Sequence, residues 1–224
     1  MIAIFSGLIA GLIHVLSGPD HLAAVAPLTI QGGQRGWVTG WRWGCGHAAG
    51  VIAVGLLSLG LRGLLPLDLL ASWAERLVGV VLIGIGIWGL RRAFANRLHS
   101  HEHIHDGQRH VHIHVHGRKV AHAHEGAATH QHSHAAFGVG LLHGFAGSSH
   151  FLAMLPALAF PTKLLAVTYV SSYGVGTILA MVCFSSAIAI LAQIFSFSGT
   201  RAYRMLMAGC SGSALLVGSL WLLG

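Results

Sequence analysis

The chain has 224 residues, 54% of them hydrophobic and 8% charged, with a mean hydropathy of +0.69. A soluble domain carries roughly 25% charged residues, so the composition excludes that class and points to an integral membrane protein. The formal charge of +7 does not indicate nucleic acid, because the basic residues flank apolar segments and form no stripe.

A bilayer core needs about 20 apolar residues per helix. Six segments qualify: approximately 3–29, 38–61, 75–92, 136–160, 164–194 and 203–223. The N-terminus lacks a basic n-region and an A-x-A site, so the first segment is expected to be a retained span and not a signal peptide. The first, fourth and fifth segments exceed the minimum length, leaving room for tilt or a break. Cys45, Cys183 and Cys210 lie singly in apolar stretches and read as small buried hydrophobes.

The first span contains "HVLSGPDHLAAVAP" at 14–27, with two histidines and an aspartate in apolar surroundings. Ionisable groups there are expensive and mark a cavity or a path. On an unbroken helix His14 and His21 would lie about 10 Å apart along the axis, too far to share one metal, whose nitrogen ligands sit about 2.0–2.1 Å from it. Gly18 and Pro19 supply a remedy. Proline removes a helical hydrogen bond and clashes with the preceding turn, and glycine relieves the backbone beside it. A break there is expected to bring His14 towards Asp20 and His21.

In the second span His47 follows "GCG", whose small residues allow close helix approach. Taken alone, His47 reads equally as an interhelical hydrogen-bonder or a ligand. "WRW" at 41–43 suits a snorkelling arginine between two interfacial aromatics.

The segment 99–134 holds thirteen histidines, mostly in HxH alternation: His99, His101, His103, His105, His110, His112, His114, His116, His122, His124, His130, His132 and His134. With no apolar face to bury, it is expected to be disordered or extended without metal. A plain polar spacer would draw on Gly, Ser and Glu, so the composition indicates labile binding of several metal ions. That binding is expected to weaken below about pH 6.5, as protons compete for the imidazoles.

The fourth span repeats the first. "GLIHVLSGPDHLAAVAP" (11–27) aligns without gaps on "GLLHGFAGSSHFLAMLP" (140–156), matching His14 to His143, Gly18 to Gly147 and His21 to His150. "WGCGH" (43–47) parallels "YGVGT" (173–177), and the third spans share an arginine and a glycine eight apart, Arg76 and Gly84 against Arg204 and Gly212. Ser148 and Ser149 replace Pro19 and Asp20, so one half carries the charge. An odd number of spans per repeat inverts the second copy, which is a transporter signature with substrate held near the midplane.

The expected fold is an all-α membrane protein. Six transmembrane helices form two inverted three-helix repeats, each with a broken first helix, at Gly18-Pro19 and at Gly147. The expected divisions are 1–95, a His-rich loop at 96–135, and 136–224. Ten of the thirteen basic residues fall on the side of that loop, with Arg62, Arg76 and Lys163 on the other. The positive-inside rule then places the loop in the cytoplasm and both termini outside. His14, Asp20, His21, His47, His143 and His150 form the candidate metal set. Imidazole with little carboxylate and no thiolate cluster suits Ni, Co, Zn or Cu(II), not Mg or Ca. Asp20 can orient a histidine from behind the ion and offset part of its charge.

"HVLSGPDHLAAVAPL", "WGCGHAAG" and "GLLHGFAGSSH" resemble the nickel/cobalt permease superfamily, most closely its UreH-like and HupE/UreJ-like branches. The larger nickel/cobalt permeases have four residues between histidine and Asp-His. Here five separate His14 from Asp20-His21, which is more like the HupE/UreJ branch. The resemblance covers nearly all the apolar chain. It implies secondary transport of Ni²⁺ or Co²⁺ across the cytoplasmic membrane, with His14, Asp20, His21 and His47 on the substrate path. His143 and His150 rest on the internal repeat as much as on the family. A long His-rich loop also resembles the efflux members. In uptake it would collect ions for a metallochaperone or for urease or hydrogenase maturation factors; in efflux it would feed cytosolic excess to the path. The metal is cargo, with Zn²⁺ as the alternative, and no tightly bound cofactor, enzyme activity or nucleic-acid partner is expected.

Other classes fit less well. A thiol–disulfide carrier needs paired cysteines at repeat-equivalent positions, and the three cysteines do not pair so. A cation-diffusion zinc exporter usually adds a soluble C-terminal domain, whereas this chain stops at "WLLG". An intramembrane metalloprotease would show HExxH. A metal store or sensor with inert spans leaves the repeated intramembrane histidines unexplained. No nucleotide-binding motif is present, so a gradient or a partner is expected to supply the energy.

Overall fold

The computed structural model describes residues 1–32, 35–60, 67–94, 98–105, 108–115, 131–146, 156–197 and 199–223. Apolar runs of this length form helices because each backbone N–H finds its acceptor within the same segment. The helices are α1 (Ile2–Ser17), α2 (Pro19–Gly32), α3 (Gly36–Gly60), α4 (Leu67–Ala93), α5 (Gln131–Phe145), α6 (Lys163–Phe197) and α7 (Thr200–Leu223). Gly199 joins the last two with a φ of +111°, a conformation that favours glycine. By length and composition, α4, α6 and α7 can each cross a bilayer. The pair α1 and α2 passes the same test together, bent by 73° at the break. The chain is a helical membrane protein.

Its radial pattern supports this. Ile9, Ile13, Leu16, Val80, Val167, Ile190 and Leu216 are exposed, whereas Asp20, His21, His47, His143, Thr177, Ser185 and Ser211 are buried. A water-soluble domain would reverse that order.

Glycines let the helices meet backbone to backbone. A Cβ on Gly11 would collide with the Tyr173 carbonyl of α6, and one on Gly140 with the Trp43 carbonyl of α3. Gly176 abuts the Leu8 carbonyl as Gly46 abuts that of Phe137. Gly7 and Gly11 meet the carbonyls of Tyr169 and Tyr173 in turn, and Gly140 and Gly144 those of Trp43 and His47, so α1 runs parallel to α6 and α3 parallel to α5. Gly40 against Met181 and Gly44 against Ile178 make α3 antiparallel to α6, while Gly79 against Gly218 and Gly89 against Ser211 make α4 antiparallel to α7.

The short α2 wedges between these pairs. Its Val25 packs with Val15, Trp43 and Met181, and its Ala23 and Ala24 pack with Val78, Leu82 and Ala214. Gln31 near its end bonds to Arg92, which also lies 5.5 Å over the Trp88 ring.

The segment expected to be disordered or extended differs from that expectation in part. Leu98–His105 (β1) and Gln108–Val115 (β2) pair as an antiparallel hairpin. Alternation of period two suits a strand whatever the residue type, and the register finds partners for both backbones. The strand β2 lies against α6, and β1 against α7. At its far end, α5 begins at Gln131, so His132 and His134 lie on a helix, ahead of the boundary expected at 136. His116, His122, His124 and His130 lie outside the described residues.

Candidate metal site

The helix ends at Ser17 and restarts at Pro19, as the Gly-Pro pair predicts. Gly18 has φ −92° and ψ 98°, so backbone freedom is not what requires glycine here. Space is. A Cβ would stand 2.5 Å from His21 Nδ1 and 3.0 Å from Asp20 Oδ1.

The break folds the two histidines together. The His14 and His21 rings lie 4.8 Å apart, edge to face. His47 of α3 completes the group at 5.5 Å from His14 and 5.0 Å from His21. One nitrogen from each of the three lies within 4.8 Å of the others. Tetrahedral ligands at zinc-like bond lengths stand about 3.3 Å apart, so small ring movements would close the group on an ion. His143 of α5 stands beside it, 5.8 Å from His21.

Hydrogen bonds set the tautomers. His21 Nδ1 donates to Asp20 Oδ1 at 2.9 Å, since a carboxylate can only accept. His143 Nδ1 donates to the Val139 carbonyl at 3.0 Å for the same reason. In a neutral imidazole each bond leaves Nε2 with its lone pair, the form that binds metal. Asp20 lies in the first turn of α2, where the helix N-terminus favours negative charge.

Sequence reasoning placed Trp43 at the membrane interface, and the structure corrects this. Trp43 is fully buried, stacked on His47 at 5.0 Å and 9°, and lies 5.3 Å from His21 and 5.4 Å from His143. Positions 41 and 43 are about 200° apart around a helix, so exposed Trp41 and buried Trp43 cannot share a face. Tyr173, aligned with Trp43 in the internal repeat, is likewise buried and lies 5.7 Å from His14. The alignment of "WGCGH" with "YGVGT" held the signal for both. Thr177, aligned with His47, turns its hydroxyl back to the Tyr173 carbonyl at 3.1 Å. Gly147 and His150 lie outside the described residues. Cys45, Cys183 and Cys210 are all free, but none is buried as expected: Cys183 is exposed and the other two are half-buried.

These features define a class: a helical membrane protein with an imidazole cluster in which His21 and His47 are buried and His14 half-buried, backed by one carboxylate and suited in donor type to a divalent transition metal. Comparison with known proteins adds relatives. The chain is 33% and 31% identical over 178 residues to Chloroplast protein FOR GROWTH AND FERTILITY 1 and 2 of Arabidopsis thaliana. Those alignments cover 79% of this chain but 47% and 44% of the plant proteins, so it spans less than half their length. It is also similar to the urease accessory protein UreH of Bacillus sp. (strain TB-90), 26% identical over 82% of this chain and 75% of that protein. No protein-family model matches the sequence. No solved structure matches it.

Proposed function

We propose that the protein is a permease carrying Ni²⁺ or Co²⁺ across a membrane, with Zn²⁺ as the alternative cargo. The observation that carries this reading is the meeting of His14, His21 and His47 at the helix break, with Asp20 bonded to His21. An ion arriving from water would exchange part of its hydration shell for neutral imidazoles, and Asp20 would offset part of its charge. His143 adds a nitrogen from the second half of the chain. The likeness to a urease accessory protein fits a nickel-handling role.

Six spans in two inverted repeats are part of the proposal. Support comes from packing that repeats under the internal alignment. Gly11 meets Tyr173 as Gly140 meets Trp43, Leu8 meets Gly176 as Phe137 meets Gly46, and Gly44 meets Ile178 as Gly174 meets Ala48. Parallel α1–α6 and α3–α5 pairs with antiparallel α3–α6 and α4–α7 pairs are what a two-fold axis in the membrane plane requires. The His-rich segment on the basic side would be cytoplasmic and would collect or deliver ions, with a metallochaperone or urease or hydrogenase maturation factors as partners. The activity is transport and involves no covalent chemistry.

The test is ⁶³Ni²⁺ movement in cells expressing the native chain or His21→Ala. Accumulation above an empty-vector control that His21→Ala abolishes supports uptake through this cluster. Reduced accumulation with raised nickel tolerance, again lost in His21→Ala, supports efflux. Equal flux in both proteins rejects the site.

A further inference from the structure

We propose that the seam between α2, α3 and α6 is one leg of an ion path, in which the hydroxyls of Thr29 and Ser185 receive a partly hydrated divalent cation after it leaves the imidazoles. The proposal rests on the permease reading and adds to it a route and a second stop. A hydroxyl on a helix has an acceptor at hand in the carbonyl four residues back, and Thr168, Thr177, Ser186 and Ser211 all use it. Thr29 and Ser185 do not. Both are fully buried, and neither Thr29 Oγ1 nor Ser185 Oγ has a hydrogen-bond partner among the described residues. Polar atoms left in that way cost free energy, and within a membrane span they mark a route for something polar.

The two side chains belong to one place. A Cβ on Gly36 of α3 would stand 3.0 Å from Thr29 Cγ2 and 3.0 Å from the Ser185 carbonyl, and one on Gly40, a turn further on, 2.6 Å from Ser185 Oγ. So α2 and α6 bring Thr29 and Ser185 to the same strip of α3. Thr29 lies about 12 Å along α2 from His21. Val25, midway between them in sequence, is fully buried and packs in one cluster with Trp43 and Met181. Met181 stands one turn before Ser185 on α6. An apolar constriction of this kind shuts a path by excluding water. Past the hydroxyls the seam reaches a basic end, where Gln31 bonds to Arg92 and Arg35, Arg91 and Arg201 are exposed. Hydroxyl oxygens suit a transition-metal dication less well than imidazole does, so this second stop lets go of what the cluster holds.

The experiment uses the full chain in lipid vesicles, carrying Cys45→Ala, Cys183→Ala and Cys210→Ala. Thr29→Cys and Ser185→Cys, made singly and together, are near-isosteric and put a thiol where each hydroxyl stands. Ser211→Cys is the control, since Ser211 is equally buried but bonds to the Met207 carbonyl and faces Gly89 of α4. A cationic methanethiosulfonate reacts with the thiolate, so its rate reports which thiols meet water. Thr29→Cys and Ser185→Cys are expected to label at least about tenfold faster than Ser211→Cys. Cd²⁺, captured between two thiolates, should slow labelling of the double variant about tenfold or more and that of each single variant by less than about twofold. Labelling no faster than in Ser211→Cys, or an equal Cd²⁺ effect in the single and double variants, overturns the proposal. The readout is access and capture, which separates it from nickel flux. Fast labelling with Cd²⁺ protection in a chain that moves no nickel upholds the route and rejects the permease reading, and nickel flux with unlabelled thiols does the reverse.

Discussion

The His14 and His21 rings lie 4.8 Å apart although they stand seven positions apart in the chain, less than half the axial rise of seven residues on a straight helix. The one-residue interruption at Gly18 accounts for this, because the helix restarts at a 73° bend and carries Asp20 and His21 back beneath His14. The space that the bend opens is filled by ring nitrogens and one carboxylate.

Gly18→Ala is expected to spoil the site without unfolding the protein. The new Cβ would press on His21 Nδ1 at 2.5 Å, forcing the ring off Asp20. Nickel affinity of the purified protein should fall about tenfold or more with unchanged helical circular dichroism. Gly84→Ala, where nothing lies within 4 Å of the added carbon, should leave affinity unchanged.

Replacing Asp20 with asparagine keeps the shape and an acceptor for His21 Nδ1 but removes the charge. Loss of such a carboxylate behind a ligand typically costs about 10–100-fold in metal affinity. Isothermal titration of Co²⁺ into Asp20→Asn should show a drop of about that size, and a value within about twofold of native would remove Asp20 from the site.

Trp43 provides an optical report, because it stacks on His47 at 5.0 Å. Bound Co²⁺ is expected to quench part of the tryptophan emission, and Trp43→Phe should abolish that component while preserving binding. Trp43→Ala should instead destabilise the protein by about 3–5 kcal/mol, the usual cost of emptying a large buried aromatic site, read as a lower thermal midpoint in detergent.

Two glycines of α5, two residues apart, should behave oppositely. Gly140→Ala drives a Cβ into the Trp43 carbonyl, whereas Gly138→Ala meets nothing within 4 Å. The first should lower stability by about 1–3 kcal/mol, and the second should be neutral or stabilising by up to about 1 kcal/mol, the helix-propensity gain of alanine over glycine. Chemical denaturation in mixed micelles separates the two.

The membrane class, the helices and the break were all legible in the chain, because each is a local consequence of its own residues. Continuous apolar length demands internally bonded backbone, and Gly18-Pro19 removes a helical hydrogen bond and disfavours the turn before it. The identity of His14, Asp20 and His21 as a group followed from that break. The joining of His47 and His143 to them was less local, and their repeat-related positions pointed to it. Tertiary structure alone decided which face of α3 turns inward, and so moved Trp43 from the interface to the centre of the histidines. Period-two alternation in the His-rich segment was plain from the start, but pairing is a relation between two stretches of backbone, and strand register cannot be read from either stretch alone. Burial and partnership depend on what the neighbouring helices bring, and here glycine seams on α1, α3 and α5 bring backbones close enough for imidazoles from separate helices to meet.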